Sequence, residues 1–252
     1  MKKNINKRFI PNILTLVNMF LGFLSIGLIL NGMPLKAGIF ILVAALFDAF
    51  DGKLARLLGI DSKFGLEFDS MADTVSFCVV PSILIYSLYV DGLPALIGGV
   101  ISFIPLMFGT IRLAKFNLSP IDKNLKYFIG LPTPIATITL FSYLFFNNQI
   151  YNNIGDPRTA LMLTFGLAIL MISPIPFAKF PLFSFHSGIK NSISLVTFFI
   201  SLLLLYFFKG YVLLPMSLTY IIIGIIKWLS NPNRLSETST YNINVSKNKL
   251  YE

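Results

Sequence analysis

The chain of 252 residues contains one cysteine, one histidine and one tryptophan. Cys78 alone cannot form an internal disulfide or a thiolate cluster, and His186 alone excludes a multi-histidine metal centre. Charge is scarce too: Asp, Glu, Lys and Arg make up 12% of the residues, against roughly 25% in a soluble domain. That shortage excludes a typical soluble enzyme, a disordered chain and a nucleic-acid binder with a hydrated basic face. What the sequence has instead is apolar residues, 55% of the total, with a mean hydropathy of +0.77. This is the composition of a polytopic membrane protein. The net charge of +9 then reads as loop charge that sets topology, and no nucleic-acid partner is expected.

Apolar stretches of about 20 residues, the length that spans a bilayer core, occur at eight places: 11–30, 36–58, 68–90, 93–115, 132–148, 158–178, 192–208 and 212–229. The expected fold is therefore an all-α integral membrane protein with about eight transmembrane helices. No internal repeat is visible. With the N-terminus in the cytoplasm and alternating spans, seventeen of the 20 Lys and Arg fall inside, and only Lys36, Arg158 and Lys209 fall outside. This bias predicts that both termini are cytoplasmic.

The start, MKKNINKR followed by an apolar run, has the look of a signal sequence. The run is too long, and no small-residue cleavage site follows Leu30, so it is expected to remain as the first span. From Asn231 the chain turns polar and rich in Asn and Ser. The predicted organisation is one membrane domain over 1–230 and a cytosolic tail over 231–252.

The second and third apolar runs contain acids: Asp48 and Asp51, then Asp69 and Asp73. Each ionised carboxylate at the bilayer centre costs roughly 2.5–3.5 kcal/mol. At about 100° per residue, Asp48, Asp51, Gly52 and Ala55 share one helical face, and Asp69 and Asp73 are one turn apart. A short connection from Leu58 to Lys63 makes the two helices antiparallel neighbours, so their acidic faces can converge. A bound divalent cation would hold four such carboxylates together, and the small Gly52 and Ala55 would leave room for a ligand. The competing reading pairs the acids with Lys53, Arg56 and Lys63, and Gly52 and Ala55 would then serve helix packing.

The residues read D-x-x-D-G-x-x-A-R, eight further residues, then G-x-x-x-D-x-x-x-D: Asp48, Asp51, Gly52, Ala55, Arg56, Gly65, Asp69 and Asp73. This pattern resembles the signature of the CDP-alcohol phosphatidyltransferase family, with every fixed position filled. The resemblance implies transfer of a phosphatidyl group from a CDP-linked lipid to an alcohol, with release of CMP. It implies that Asp48, Asp51, Asp69 and Asp73 form the metal centre, with two divalent cations, Mg²⁺ or Mn²⁺. Asp73 matches the general base. Gly52 and Ala55 match positions that leave room for the cytidine, and Arg56 and Gly65 match supports of the nucleotide site. Thr15 and Asn18 in the first span line the nucleotide cleft or else hydrogen-bond between helices. The family also implies a homodimer in the cell membrane, surrounded by membrane lipids, with the active site near the cytoplasmic side.

Two further segments, Arg112-Leu-Ala-Lys115-Phe-Asn117 and Phe128-Ile-Gly130-Leu-Pro132-Thr-Pro134, are similar to segments of the serine-accepting, membrane-embedded branch of that family. The implied substrates are CDP-diacylglycerol and L-serine. The serine carboxylate suits an arginine fork, which favours Arg112, assisted by Lys115 and Asn117. The competing reading makes Arg112 and Lys115 topology charges or headgroup anchors, a reading that weighs more for Lys115 than for Arg112, and Pro132 and Pro134 helix-start signals. A phospholipase-D-like serine synthase would need two H-x-K-x-x-x-x-D motifs; with one histidine, and Gly188 in place of the lysine, that mechanism is excluded. Cys78 reads as a buried small hydrophobe. The alternatives within the family are another acceptor, glycerol 3-phosphate or inositol phosphate, or a donor with archaeal ether chains. Outside it stands a cation-coupled transporter, which the missing repeat and the company of Gly52, Ala55 and Arg56 count against.

Overall fold

A computed structural model describes residues 5–58, 62–118, 127–178 and 210–230, without the side chains of 5–10, 53 and 55–58. The described chain is almost wholly helical: α1 (Ile5–Leu30), α2 (Pro34–Leu58), α3 (Lys63–Asp73), α4 (Val80–Leu88), α5 (Ala95–Leu118), α6 (Thr133–Tyr151), α7 (Pro157–Ile172) and α8 (Gly210–Ser230). The exception is a short antiparallel ribbon of β1 (Tyr127–Ile129) and β2 (Pro176–Ala178), which pairs Phe128 with Phe177.

Four segments among the described residues are long and apolar enough to cross a membrane: Pro11–Leu30, Lys63–Leu88, Ala95–Leu118 and Gly210–Ser230. They coincide with the expected first, third, fourth and eighth spans. The expected second span is the helix α2, whose apolar run is broken by Asp48 and Asp51. The fifth is α6, which ends in the polar run Asn147-Asn148-Gln149. The sixth is shorter than expected: α7 stops at Ile172, because Pro174 and Pro176 cannot continue a helix. The expected seventh span, 192–208, lies outside the described residues.

The local chemistry explains the breaks. α1 ends in a Schellman motif, with Gly32 at φ +71° and the Met33 N–H bonded to the Leu28 carbonyl at 2.8 Å. Pro34 then starts α2, where a missing N–H costs nothing. Between α3 and α4 the helix widens into a π-helical segment, Thr74–Val79. Pro81 has no N–H to offer the Phe77 carbonyl four residues back. That carbonyl accepts instead from the Thr137 hydroxyl of α6 at 2.7 Å, so the irregularity also ties two helices together.

On α1 the buried residues Pro11, Thr15, Asn18, Gly22, Ser25 and Ile29 form one helical stripe, and Ile13, Leu16, Phe20 and Phe23 face outward. α1 runs along α2 and touches α3, the π segment and α4. Small residues allow the close approaches: Gly22 against Ser76, and Gly109 of α5 against the buried Cys78. One apolar cluster centres on Ile41, Ala44, Phe77, Leu84, Ile85 and Phe141. A second, around Leu131, Ala168, Phe177 and Ile221, seats the β ribbon against α7 and α8.

Candidate active site

Asp48 and Asp51 lie in the C-terminal part of α2, Asp69 lies in the second half of α3, and Asp73 is the last residue of α3. Ser62 caps α3, its hydroxyl accepting from the Gly65 N–H at 3.0 Å. A β-carbon at Gly65 would come 3.1 Å from Ser62 Oγ, a tight contact, and 3.7 Å from Asn12 Oδ1 of α1, an ordinary one, so glycine here makes room for the capping hydroxyl. Asp48, Asp51 and Asp69 each offer a carboxylate oxygen, and these oxygens all lie within 4.8 Å of one another. Asp73 stands beside this group of three, with its carboxyl within hydrogen-bonding reach of Asp48. Like charges this close in a buried place need a proton or a cation between them.

α1 supplies the polar wall. Thr15 Oγ1 donates to Asp51 Oδ2 at 2.8 Å. Asn18 is completely buried, and its Nδ2 donates to Asp73 Oδ1 at 3.4 Å. The Ser76 hydroxyl donates to the Asn18 backbone carbonyl at 3.0 Å, which pins α1 to the helix that carries Asp73. Thr15 and Asn18 thus touch the acids directly, a nearer role than lining a cleft. Beside Asp51, a β-carbon added to Gly52 would meet nothing within 4 Å among the described residues. Ala55 and Arg56 are on the last turn of α2, with side chains outside the described residues.

α5 closes the other side. Arg112 is 8% exposed and lies within electrostatic reach of Asp73 and Asp48, yet its Nε has no hydrogen-bond partner. Asn117, near the end of α5, donates to Ser70 Oγ at 2.8 Å and to Glu67 Oε2 at 3.5 Å. Lys115, one turn beyond Arg112 on α5, is exposed. The two segments after the aspartates meet through their aromatic rings, Phe116 and Phe128, with centroids 6.5 Å apart. Gly130, at φ +74°, packs against the Met171 carbonyl, and the Leu131 N–H bonds the Leu170 carbonyl at 2.9 Å. Pro132 and Thr133 then start α6, with Pro134 in its first turn.

Several buried polar atoms here lack partners: Asn18 Oδ1, Asp69 Oδ1, Arg112 Nε, Asn117 Oδ1 and Thr133 Oγ1. Such atoms are rare in folded proteins and costly to leave unpaired. The carboxylate-rich donor set and the orphaned Asp69 oxygen fit a hard divalent cation. Sequence reasoning did not single out Ser76 or Thr133. Ser76 carries no motif signal; Thr133 could have been found as the polar residue between the two prolines of the second segment.

The chain is similar to known proteins over most of its length. The sequence profile of the CDP-alcohol phosphatidyltransferase family matches residues 8–223. The CDP-diacylglycerol–serine O-phosphatidyltransferase of Helicobacter pylori is 33% identical over 222 residues, 87% of this chain and 90% of that protein. The Bacillus subtilis protein of the same name is 38% identical over 180 residues, 71% of this chain and 94% of its own. An archaetidylserine synthase of Methanothermobacter thermautotrophicus is 37% identical over 174 residues, 68% of this chain and 70% of that one.

Proposed function

The chain belongs to the CDP-alcohol phosphatidyltransferase family, and from that premise we propose that it transfers the phosphatidyl group of CDP-diacylglycerol to the hydroxyl of L-serine, forming phosphatidylserine and CMP. The observation that carries this reading is the convergence of Asp48, Asp51 and Asp69 within 4.8 Å, beside a fourth carboxylate and a buried arginine. Relatives named for serine transfer match most of the chain and support the choice of acceptor.

Asp48, Asp51 and Asp69, with Asp73 at the edge, would hold the divalent cations, Mg²⁺ or Mn²⁺ and two in number. When bound, these supply the positive charge that lets an acidic site accept a pyrophosphate. Thr15 fixes the Asp51 carboxylate by a hydrogen bond, and Asn18 orients Asp73. Gly52, Ala55, Arg56 and Gly65 border the space for the nucleotide. Asp73 takes the proton of the serine hydroxyl as its oxygen attacks the lipid-proximal phosphorus. The bond from that phosphorus to the bridging oxygen breaks, and CMP leaves with the electron pair. Arg112 receives the serine carboxylate, with Asn117 and Lys115 as the further polar groups on that helix.

The same reading places residues 1–230 in one membrane domain of eight spans, with residues 231–252 as a cytosolic tail. Both termini and the site are at the cytoplasmic side of the cell membrane, in a homodimer surrounded by lipid. The archaetidylserine synthase relative favours one variation: the same acceptor with an ether-linked donor. Purified protein given CDP-diacylglycerol and a panel of serine, glycerol 3-phosphate and inositol phosphate tests the proposal. CMP release with serine, with phosphatidylserine as the lipid product, is expected. Release only with a phosphorylated acceptor would reject the serine assignment.

A further inference from the structure

Thr133 differs from the other described threonines in one respect. Thr15, Thr110, Thr139, Thr164 and Thr219 each donate to the carbonyl four residues back along their own helix, and Thr74 does the same. Thr159 bonds three residues back to Asp156, and Thr137 reaches across to Phe77. Thr133 is the first residue of α6, so no helical carbonyl lies behind it. Its hydroxyl is without a partner, although the residue is 0% exposed. A hydroxyl buried in that state is expensive unless something else fills the place.

The position of Thr133 suggests what that is. Its methyl carbon is 3.6 Å from where a β-carbon of Gly109 would stand, beside Cys78. Gly109 and Arg112 are three residues apart and buried on the same side of α5. Cys78 also lies within electrostatic reach of Arg112 and Asp73. Thr133 and Arg112 are therefore both neighbours of Gly109, one across the helix contact and one a turn further along α5, and each keeps a buried donor without a partner. Pro132 gives the helix start no side-chain cap, so its partial positive charge is not offset there.

We infer that Thr133 is a specificity-determining residue for the acceptor: its hydroxyl donates to one oxygen of the amino-acid carboxylate that Arg112 binds by charge. This inference rests on the serine-transfer reading. It adds a reason why an amino acid, rather than a simple amino alcohol, is accepted: a carboxylate satisfies both orphans together, whereas ethanolamine leaves them buried and unpaired.

Thr133→Val keeps the shape and removes the hydroxyl, and Thr133→Ser keeps the hydroxyl. The assay is steady-state CMP release from CDP-diacylglycerol with L-serine or ethanolamine as acceptor, together with the KM for the CDP-lipid. Thr133→Val should raise the serine KM about 10- to 100-fold, the worth of a hydrogen bond to a charged group. It should leave the KM for CDP-lipid within about twofold, and should narrow the preference for serine over ethanolamine by a similar factor to the loss in serine KM. Thr133→Ser should restore most of the serine affinity. An unchanged serine KM in Thr133→Val, or an equal rise in both KM values, would overturn the inference while leaving serine transfer intact. Failure of the unaltered protein to use serine at all would overturn both.

Discussion

The two ends of the helix bundle treat buried polar groups in opposite ways. Around Phe141 and Leu144 the polar residues are satisfied within the protein: Ser25 bonds the Leu21 and Ala37 carbonyls, Ser142 bonds the Thr139 carbonyl, and Thr164 bonds the Ala160 carbonyl. Towards Asp48 and Asp73, Asn18, Asp69, Arg112, Asn117 and Thr133 each keep a buried atom without a partner. The same helices serve both ends. Small residues and self-satisfied hydroxyls suit packing among helices in lipid, while unpaired buried groups suit a site that a ligand completes. The difference separates what holds the bundle together from what the bundle is for.

That contrast can be broken most severely by removing metal. With a chelator in excess, CMP release should fall to background and return on adding Mg²⁺ or Mn²⁺; full turnover in a demonstrably metal-free preparation would count against the acidic end as a cation site. Next in size is Asp73→Asn, which keeps the shape and removes the basic oxygen. Turnover should fall by roughly 10²- to 10⁴-fold, with binding of the CDP-lipid retained in an equilibrium assay and metal affinity measured alongside. Arg112→Lys keeps the charge but loses the fork. The serine KM should rise about tenfold with the CDP-lipid KM near normal, and an unchanged serine KM would make Arg112 a topology charge.

The smallest expected effect on chemistry comes from the opposite end. A β-carbon at Gly38 would meet Phe145 at 2.5 Å and Phe141 at 2.8 Å. Gly38→Ala should therefore destabilise the protein by about 1–3 kcal/mol, seen as a lower unfolding temperature in detergent. The activity of the folded fraction should stay unchanged. A selective loss of serine or CDP-lipid affinity in this variant would blur the distinction between the two ends.

Much of this was legible in the sequence, and the reason differs by region. The spacing of Asp48, Asp51, Asp69 and Asp73 encodes which acids share a helical face; that the two faces converge is set with α1, which packs against both α2 and α3. Hydropathy located the helices, since hydrocarbon demands about 20 apolar residues per span. It misplaced the end of α7, where Pro174 and Pro176 outweigh the apolar character of Ile172, Ile175 and Phe177. At the π segment Thr74–Val79 the local signal is Pro81, but the partner that takes up the freed Phe77 carbonyl, Thr137, was not legible because it comes from a helix far along the chain. Thr15 and Asn18 were read as lining the cleft or hydrogen-bonding between helices; they bond across helices to Asp51 and Asp73, and which acids they meet is a matter of register between α1 and its partners, which one-dimensional spacing does not carry. Thr133 was within reach as the polar residue between Pro132 and Pro134, but its missing hydrogen-bond partner shows only in the structure.

The central claim is that the unpaired groups at the acidic end await a ligand. Equilibrium binding of Mn²⁺ to the purified protein, followed by electron paramagnetic resonance of the free ion, tests it most directly. The account predicts saturable binding by the unaltered protein and weakening by at least about tenfold in each of Asp48→Asn, Asp51→Asn and Asp69→Asn, with Gly38→Ala binding as tightly as the parent. Equal Mn²⁺ affinity in the parent and all three aspartate variants would contradict it.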